Sequence, residues 1–461
     1  MTHLLIFIAL CSLPFVSIGQ SSLNIDLLDN WQDNSLLAGP SGVQYNDCWG
    51  YTQSGEEYAL LGSTEGTHIF HIGDDNKLQL LDFVPGKYQS TLVVHRDIKT
   101  YQNYAYVVCD EGNSSLQIID LSTLPNSVSV VTENDSTFTR VHNLFIDEDN
   151  ALMYACSITP SVGGVLQGLI SMQVYSLADP INPALVFTGP ADVPEVHDAY
   201  VRNNLAYLSC GFDGLRLYDF SNPSIPIYKQ NINLYQDQGY NHQGWMSPDG
   251  KKFVFGDETN GKRLKLCSVS NTTNQLNIEH LFGTNYSENS VPHNVMVTDH
   301  YAYVAYYNEG FRIYNILGDY PIEVAHYDTY PEDSPFKMYG AWGVYAALPS
   351  GRLLVSDRQY GLFLFDFRRE LFAYPFNEEI TVSPNPLQGE TLTIRTGNGG
   401  ITDFTVEINT LSGQKVGDWT FNDQTFGEIP VQLSRGYYLV SIIYTDYLGE
   451  EMKTVVKLSV I

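Results

Sequence analysis

The sequence predicts an all-β chain, a seven-bladed β-propeller followed by a small C-terminal β-sandwich. Three observations carry that expectation. One phrase recurs seven times: a residue that is usually His, an apolar strand, a second strand of the type Tyr-Val-Ala, a Gly, and a third strand ending near Tyr-Asp. Its histidines, His95, His142, His197, His242 and His293, stand 47, 55, 45 and 51 residues apart. A strand-built period of about 40–50 residues is the mark of a propeller with one four-stranded blade per repeat. After residue 370 that period stops, and short alternating strands follow at intervals of about 8–12 residues, as in a small sandwich.

At the start of the chain, residues 4–16 are nearly all apolar and lead into Ser17-Ile18-Gly19. Small residues so placed before Gln20 read as a signal peptide over residues 1–19. The run is too short for a membrane span. No other stretch approaches one, so the expectation is export with no transmembrane segment. The propeller is assigned to residues 20–370. Its clearest copies are His197-Asp198-Ala199-Tyr200 with Gly214-Leu215-Arg216-Leu217-Tyr218-Asp219, and His293-Asn294-Val295-Met296 with Gly310-Phe311-Arg312-Ile313-Tyr314. The first and last copies replace the His, with Asn46-Asp47-Cys48-Trp49-Gly50 and Gly340-Ala341-Trp342-Gly343. Outer fourth strands begin at Pro226-Ile227 and Pro321-Ile322, after turns rich in Asn and Pro. The segment Asn24-Ile25-Asp26-Leu27-Leu28-Asp29-Asn30-Trp31 has the same character but precedes the first blade, while the last copy lacks an outer strand. The N-terminal strand is therefore expected to complete the last blade and close the ring, which leaves few free sheet edges.

Composition narrows the partners. The 461 residues hold 24 Lys and Arg against 52 Asp and Glu, a net charge of −28. Nucleic acid and anionic lipid both call for a basic face, so this balance argues against both. Divalent cations, sugars or plain solvation remain compatible with this balance. Five cysteines follow the expected cleavage point, Cys48, Cys109, Cys156, Cys210 and Cys267, with no close spacing of the kind that binds metal. They read as small core residues about a blade apart, not as disulfides. No Gly-x-Ser-x-Gly, His-Glu-x-x-His, phosphate-binding Gly loop or EF-hand spacing occurs. The 32 Tyr are expected mainly in packing between blades.

Two resemblances add to this reading. Val382-Ser383-Pro384-Asn385-Pro386, then Ser412-Gly413-Gln414-Lys415-Val416, Gly436-Tyr437-Tyr438 and the Lys-bearing final strand occur in that order. Over residues 376–461 they resemble the type A sorting domain of the type IX secretion system in Gram-negative, Bacteroidota-type bacteria. The resemblance implies the type IX secretion machinery as a partner, translocation across the outer membrane, and removal of the domain, often with attachment of the product to surface lipopolysaccharide. The propeller, through Asn46-Asp47-Cys48-Trp49-Gly50-Tyr51, Tyr240-Asn241-His242-Gln243-Gly244-Trp245 and Gly340-Ala341-Trp342-Gly343-Val344-Tyr345, resembles the choice-of-anchor B family of extracellular proteins built from LVIVD-type repeats. That resemblance implies a cell-surface or extracellular location and no particular reaction.

The histidines are the candidate site. In a propeller the first strand of each blade lines the central channel, so the five His are expected at its rim on one face. The loops between second and third strands open on the same face and carry Asp110-Glu111, Asp213, Asp257-Glu258, Asn308-Glu309 and Asp357. Imidazole and carboxylate converging on an axis suit a divalent metal ion. The residues picked out are His197, His242 and His293 from three consecutive blades, with Asp257 and Glu258, and Asp198 as an orienting partner for His197. The competing reading is that each His is hydrogen-bonded within its blade to hold strands in register. The corresponding functions are a non-catalytic surface scaffold presenting itself to an extracellular protein, glycan or ion, and, as the alternative, a metal-dependent extracellular enzyme.

Overall fold

The structure is a computed structural model that describes residues 21–135, 138–162, 165–284, 290–298, 300–317, 320–332, 338–369, 380–396, 403–422, 424, 426–445 and 451–461. The expected signal peptide and the stretch Phe376-Asn377-Glu378-Glu379 lie outside the described residues. Among the described residues up to Phe367 there are seven antiparallel sheets of four strands, one of them extended by a fifth, and a two-stranded ribbon of Ser161–Val162 and Val165–Leu166. The first strands of the seven sheets are Tyr45–Gln53, Arg96–Tyr101, Arg140–Asp147, Asp198–Arg202, Asn241–Met246, Val295–Thr298 and Ala341–Tyr345. Each first strand packs beside that of the next sheet, and the seventh sits beside the first, so the seven strands close around an axis.

The seventh sheet is completed from the other end of the chain. Ile25–Trp31 pairs antiparallel with Gly361–Phe367, Ile25 opposite Phe367 and Trp31 opposite Leu362. The preceding residues do something the sequence did not suggest. Ser22–Leu23 adds a fifth strand to the sixth sheet, with Ser22 opposite Tyr327, so one short N-terminal segment ties two neighbouring sheets together.

Burial explains the pattern of the repeat. Second and third strands are covered on both faces by neighbouring sheets, and they read as continuous apolar runs, as in Tyr104–Cys109 and Tyr301–Ala305. Fourth strands lie at the rim; Ser129–Asn134 and Ile227–Ile232 are largely exposed, whereas Ile322–Tyr327, which pairs with Ser22–Leu23, is mostly buried. The core is therefore a series of layers between sheets. Tyr58, Leu60 and Ile69 of the first pack on Ile98, Val107 and Ile119 of the second. Leu354, Leu362 and Leu364 of the seventh pack on Tyr45, Ala59 and Leu61 of the first. The Gly that opens the third strand has a steric cause. A Cβ at Gly214 (φ +83°) would sit 2.2 Å from the carbonyl oxygen of Ile232 in the fourth strand, and one at Gly310 (φ +73°) 2.3 Å from that of Tyr327.

The C-terminal residues form two further antiparallel sheets. One contains Thr381–Ser383, Thr391–Arg395 and Phe426–Pro430, the other Phe404–Thr410, Lys415–Phe421, Gly436–Thr445 and Glu451–Val460. They share one apolar core, with Leu392, Ile394 and Ile429 from the first facing Val406, Ile408, Val440 and Ile442 from the second. Among the described residues no helix is long and apolar enough to cross a membrane.

Candidate axial site at the histidine ring

The five histidines come together. Ring centroids are 4.9 Å apart for His95 and His142, 4.2 Å for His142 and His197, 4.2 Å for His197 and His242, and 4.3 Å for His242 and His293. Trp342 of the seventh sheet closes the circle, 3.9 Å from His293 and 5.4 Å from His95. Six aromatic rings from six sheets thus surround the axis at one end.

The hydrogen bonds divide the expectation that these His act within their own sheets: His95 does so through Glu111, whereas His142, His197 and His293 reach a neighbouring sheet. His197 Nδ1 donates to the carbonyl oxygen of His242 at 3.0 Å, and His293 Nδ1 to that of Trp342 at 2.7 Å. Both bonds run to the next sheet. The innermost strand of each sheet has no neighbour on its axial side, so its backbone groups lack ladder partners, and the His side chains supply some of them. His142 and His95 instead bond carboxylates of second-to-third-strand loops, Asp110 at 2.9 Å and Glu111 at 2.7 Å.

Electrostatics divide the ring in two. Burial holds His197 and His293 well below the ordinary imidazole range, with neighbouring His adding to the effect. Burial also lowers His242 to about 4 despite the nearby Glu258 carboxylate. These three rings are neutral at pH 7. For His142 burial is the largest single influence and pulls downward, but the hydrogen bond and charge of Asp110, with Glu258 and Asp97, carry it above the usual value.

Of the residues picked out for metal, the structure gathers His242, Glu258 and His293, whose ligand atoms all lie within 4.8 Å of one another. His197 packs against His242 at the edge of that group. Asp257 does not join it. The Asp257 carboxylate is fully buried with Lys265, Nζ to Oδ2 at 2.5 Å, and also accepts from the Tyr235 hydroxyl at 2.8 Å. Adjacent residues of a strand point to opposite faces, and Glu258 lies just past the strand Lys252–Asp257, so the two acids part company. Asp198 also departs from expectation. The His197 Nδ1 proton goes to a carbonyl, and Asp198 belongs to a layer below the ring.

That layer was not foreseen. Asp47, Asp97, Asn143, Asp198, Gln243 and Asn294 line the axis beneath the imidazoles. In the fifth sheet a bulge between Asn241 and Gln243 lets the consecutive residues His242 and Gln243 both face the axis. Leu144 N–H donates to Asp97 at 2.7 Å and Val295 N–H to Gln243 at 2.8 Å, again joining one sheet to the next. Lys99 sits among the acids, 2.7 Å from Asp97 and 3.6 Å from Asp47. Burial pushes Asp47 well above the carboxylate range, and pushes Asp198 up to about 7 against the pull of Lys99. The available signal was the polar residue that follows the ring position in nearly every copy. Deeper still, Trp49, Phe145, Tyr200, Trp245 and Tyr345 fill the axis, with Tyr200 and Trp245 5.0 Å apart and Trp49 and Tyr345 4.9 Å apart. The voids left along the axis are small, about 20 Å³ under the ring and about 30 Å³ under the polar layer.

The five cysteines are all free and buried. Burial raises each thiol, Cys109 to about 11 and Cys210 to about 12.

Comparison with known proteins bears on the fold. The LVIVD repeat matches residues 95–131, 195–233 and 292–329, and each match begins at or within two residues of a ring His and spans one sheet. No curated protein matches the sequence. The β-propeller domain of Cps50 (Swd1) from Myceliophteria thermophila is similar in structure at 10% identity, with a TM-score of 0.50 over 74% of this chain and 98% of that one. The periplasmic gluconolactonase PpgL of Pseudomonas aeruginosa gives 10% identity and a TM-score of 0.49 over 89% and 100%. The chain is an all-β protein with a β-propeller fold and LVIVD repeats.

Proposed function

We propose that the chain is a secreted or cell-surface propeller of seven blades, spanning residues 20–370, that serves as a rigid, non-catalytic scaffold for an extracellular protein, glycan or ion. The filling of the axis supports this reading at the histidine ring, where the metal-dependent alternative would act; clefts of about 320 and 430 Å³ lie away from that ring. Organic substrates occupy clefts of roughly 300–1,000 Å³, whereas the two axial voids measure about 20 and 30 Å³. A metal-dependent enzyme working at the ring would have to open that filling, and the inter-sheet hydrogen bonds of His197, His293, Asp97 and Gln243 oppose it.

Export is proposed through residues 1–19 as signal peptide and residues 376–461 as a β-sandwich sorting domain of the type IX kind. The propeller then belongs with the choice-of-anchor B proteins, whose LVIVD repeats it shares. Support comes from the order of the Pro384-Asn385-Pro386, Gly413-Gln414-Lys415 and Gly436-Tyr437-Tyr438 motifs.

Fusing residues 376–461 to a periplasm-targeted fluorescent protein tests the export. The fusion should reach the outside of a host with type IX machinery and stay periplasmic in one without it. Retention in both hosts refutes the sorting assignment. Turnover of ester, lactone, phosphate or glycoside substrates that His242→Ala abolishes would refute the non-catalytic reading.

A further inference from the structure

Two sets of three side chains on the ring are close enough to share an ion, His95, Asp110 and His142 in one and His242, Glu258 and His293 in the other. In the first set the His142 Nδ1 already bonds Asp110, and His95 Nδ1 bonds Glu111. The second set is arranged differently. His242 Nε2 stands 3.9 Å from Glu258 Oε2, too far for a hydrogen bond. Metal–nitrogen and metal–oxygen bonds of about 2.0–2.2 Å meeting at tetrahedral angles span about 3.3–3.6 Å between ligand atoms, so a closing of a few tenths of an ångström would bring this pair onto one ion.

The supporting contacts are those that metal ligands need. A carbonyl oxygen can only accept, so His293 carries its proton on Nδ1, where it bonds Trp342 at 2.7 Å, and its Nε2 lone pair is left bare. His197 is fixed in the same tautomer by the carbonyl of His242. The second carboxylate oxygen of Glu258, Oε1, accepts from the Tyr307 hydroxyl, which aims Oε2 at His242. The His242 ring is turned toward the backbone of His293 in the next sheet in the same way. The void of about 20 Å³ beside these rings has room for one ion or one water.

We infer that His242, Glu258 and His293 bind one divalent transition-metal ion of the class that accepts imidazole and carboxylate together, such as Zn²⁺ or Co²⁺. His197 packs against His242 outside this group. The ion would link the fifth and sixth sheets at the axis, a structural task that does not depend on what the scaffold binds.

The test uses the full chain, purified without a His tag and stripped with a chelator. Co²⁺ is titrated and followed by its visible absorption, and Zn²⁺ is then added as competitor. The expected result is one equivalent of Co²⁺ per chain, displaced by Zn²⁺, with a rise in melting temperature. Glu258→Gln and His293→Gln should each weaken binding by on the order of 100-fold. His71→Gln, in an outer His–Glu pair, should leave it unchanged. If circular dichroism shows that His293→Gln does not fold, Glu258→Gln decides, because the Gln carbonyl can still accept from the Tyr307 hydroxyl. Absence of binding of either ion at about 1 mM overturns the inference. Binding that survives Glu258→Gln, or that is lost only in His142→Gln, overturns it as well.

Discussion

Replacing Asp357 by Asn should stabilise the protein at neutral pH and do so progressively less in acid. Asp357 ends the second strand of the seventh sheet and is fully buried. Its Oδ1 accepts the backbone N–H groups of Gln359 at 2.9 Å and Tyr360 at 2.8 Å, and an Asn carbonyl would accept both. Burial pushes the carboxyl up from 3.8 to about 7, while the Gln359 and Tyr360 amides and the Thr329 hydroxyl pull it back. The folded protein therefore keeps a proton that the unfolded chain releases above pH 4. This group's contribution is complete below pH 3.8 and is lost as pH rises through 7. One pH unit well inside that window is worth about 1.4 kcal/mol and the slope halves at pH 7, so the two units from pH 5 to pH 7 remove about 2 kcal/mol from the native protein and nothing from Asp357→Asn. Urea unfolding of both proteins at pH 5, 6, 7 and 7.5, followed by tryptophan fluorescence, gives the difference directly. Titrations common to both cancel in it. A stability difference that is flat with pH, or that moves against the variant as pH rises, refutes the argument that this carboxyl is buried in its neutral form.

Gly214→Ala should cost roughly 1–3 kcal/mol, because its Cβ would press on the Ile232 carbonyl. Gly55→Ala, at φ +85° but with open space around it, should cost only about 1 kcal/mol, and equal losses by chemical denaturation would refute the steric account. Gln243→Ala leaves the Val295 N–H without its acceptor, so a loss of about 1–3 kcal/mol is expected in the same assay. No loss would show that this inter-sheet bond does not contribute. Cys48, Cys109, Cys156, Cys210 and Cys267 should resist maleimide at pH 8 in the native protein and react on unfolding, since all five are buried and their thiols raised by burial. Rapid native labelling of any of them, read by mass spectrometry, would contradict that burial.

The repeat phrase alone determined the order and number of the four-stranded sheets and the face on which the histidines gather. The missing outer strand of the last copy also pointed to residues 24–31 as its completion, and Ile25–Trp31 pairs there. These features are legible because they are local or periodic. A strand buried on both faces needs an apolar run, a tight approach needs Gly, and a missing outer strand must come from elsewhere in the chain. The tertiary structure decided which atoms meet. Asp257 and Glu258 are neighbours in sequence, yet one pairs with Lys265 and the other faces His242, because side-chain direction alternates along a strand and no pattern names the partner across the gap. The layer of Asp47, Asp97, Asp198 and Gln243 was hidden in part for a related reason. In the fifth sheet a one-residue bulge turns His242 and Gln243 both toward the axis, where a period-two reading places one of them outside; at Asp97 and Asp198 the ladder is regular. The hydrogen bonds of His197 and His293 to the next sheet could not be read either, since they join residues 45 and 49 positions apart. Their geometry exists only once the seven sheets have closed into a ring.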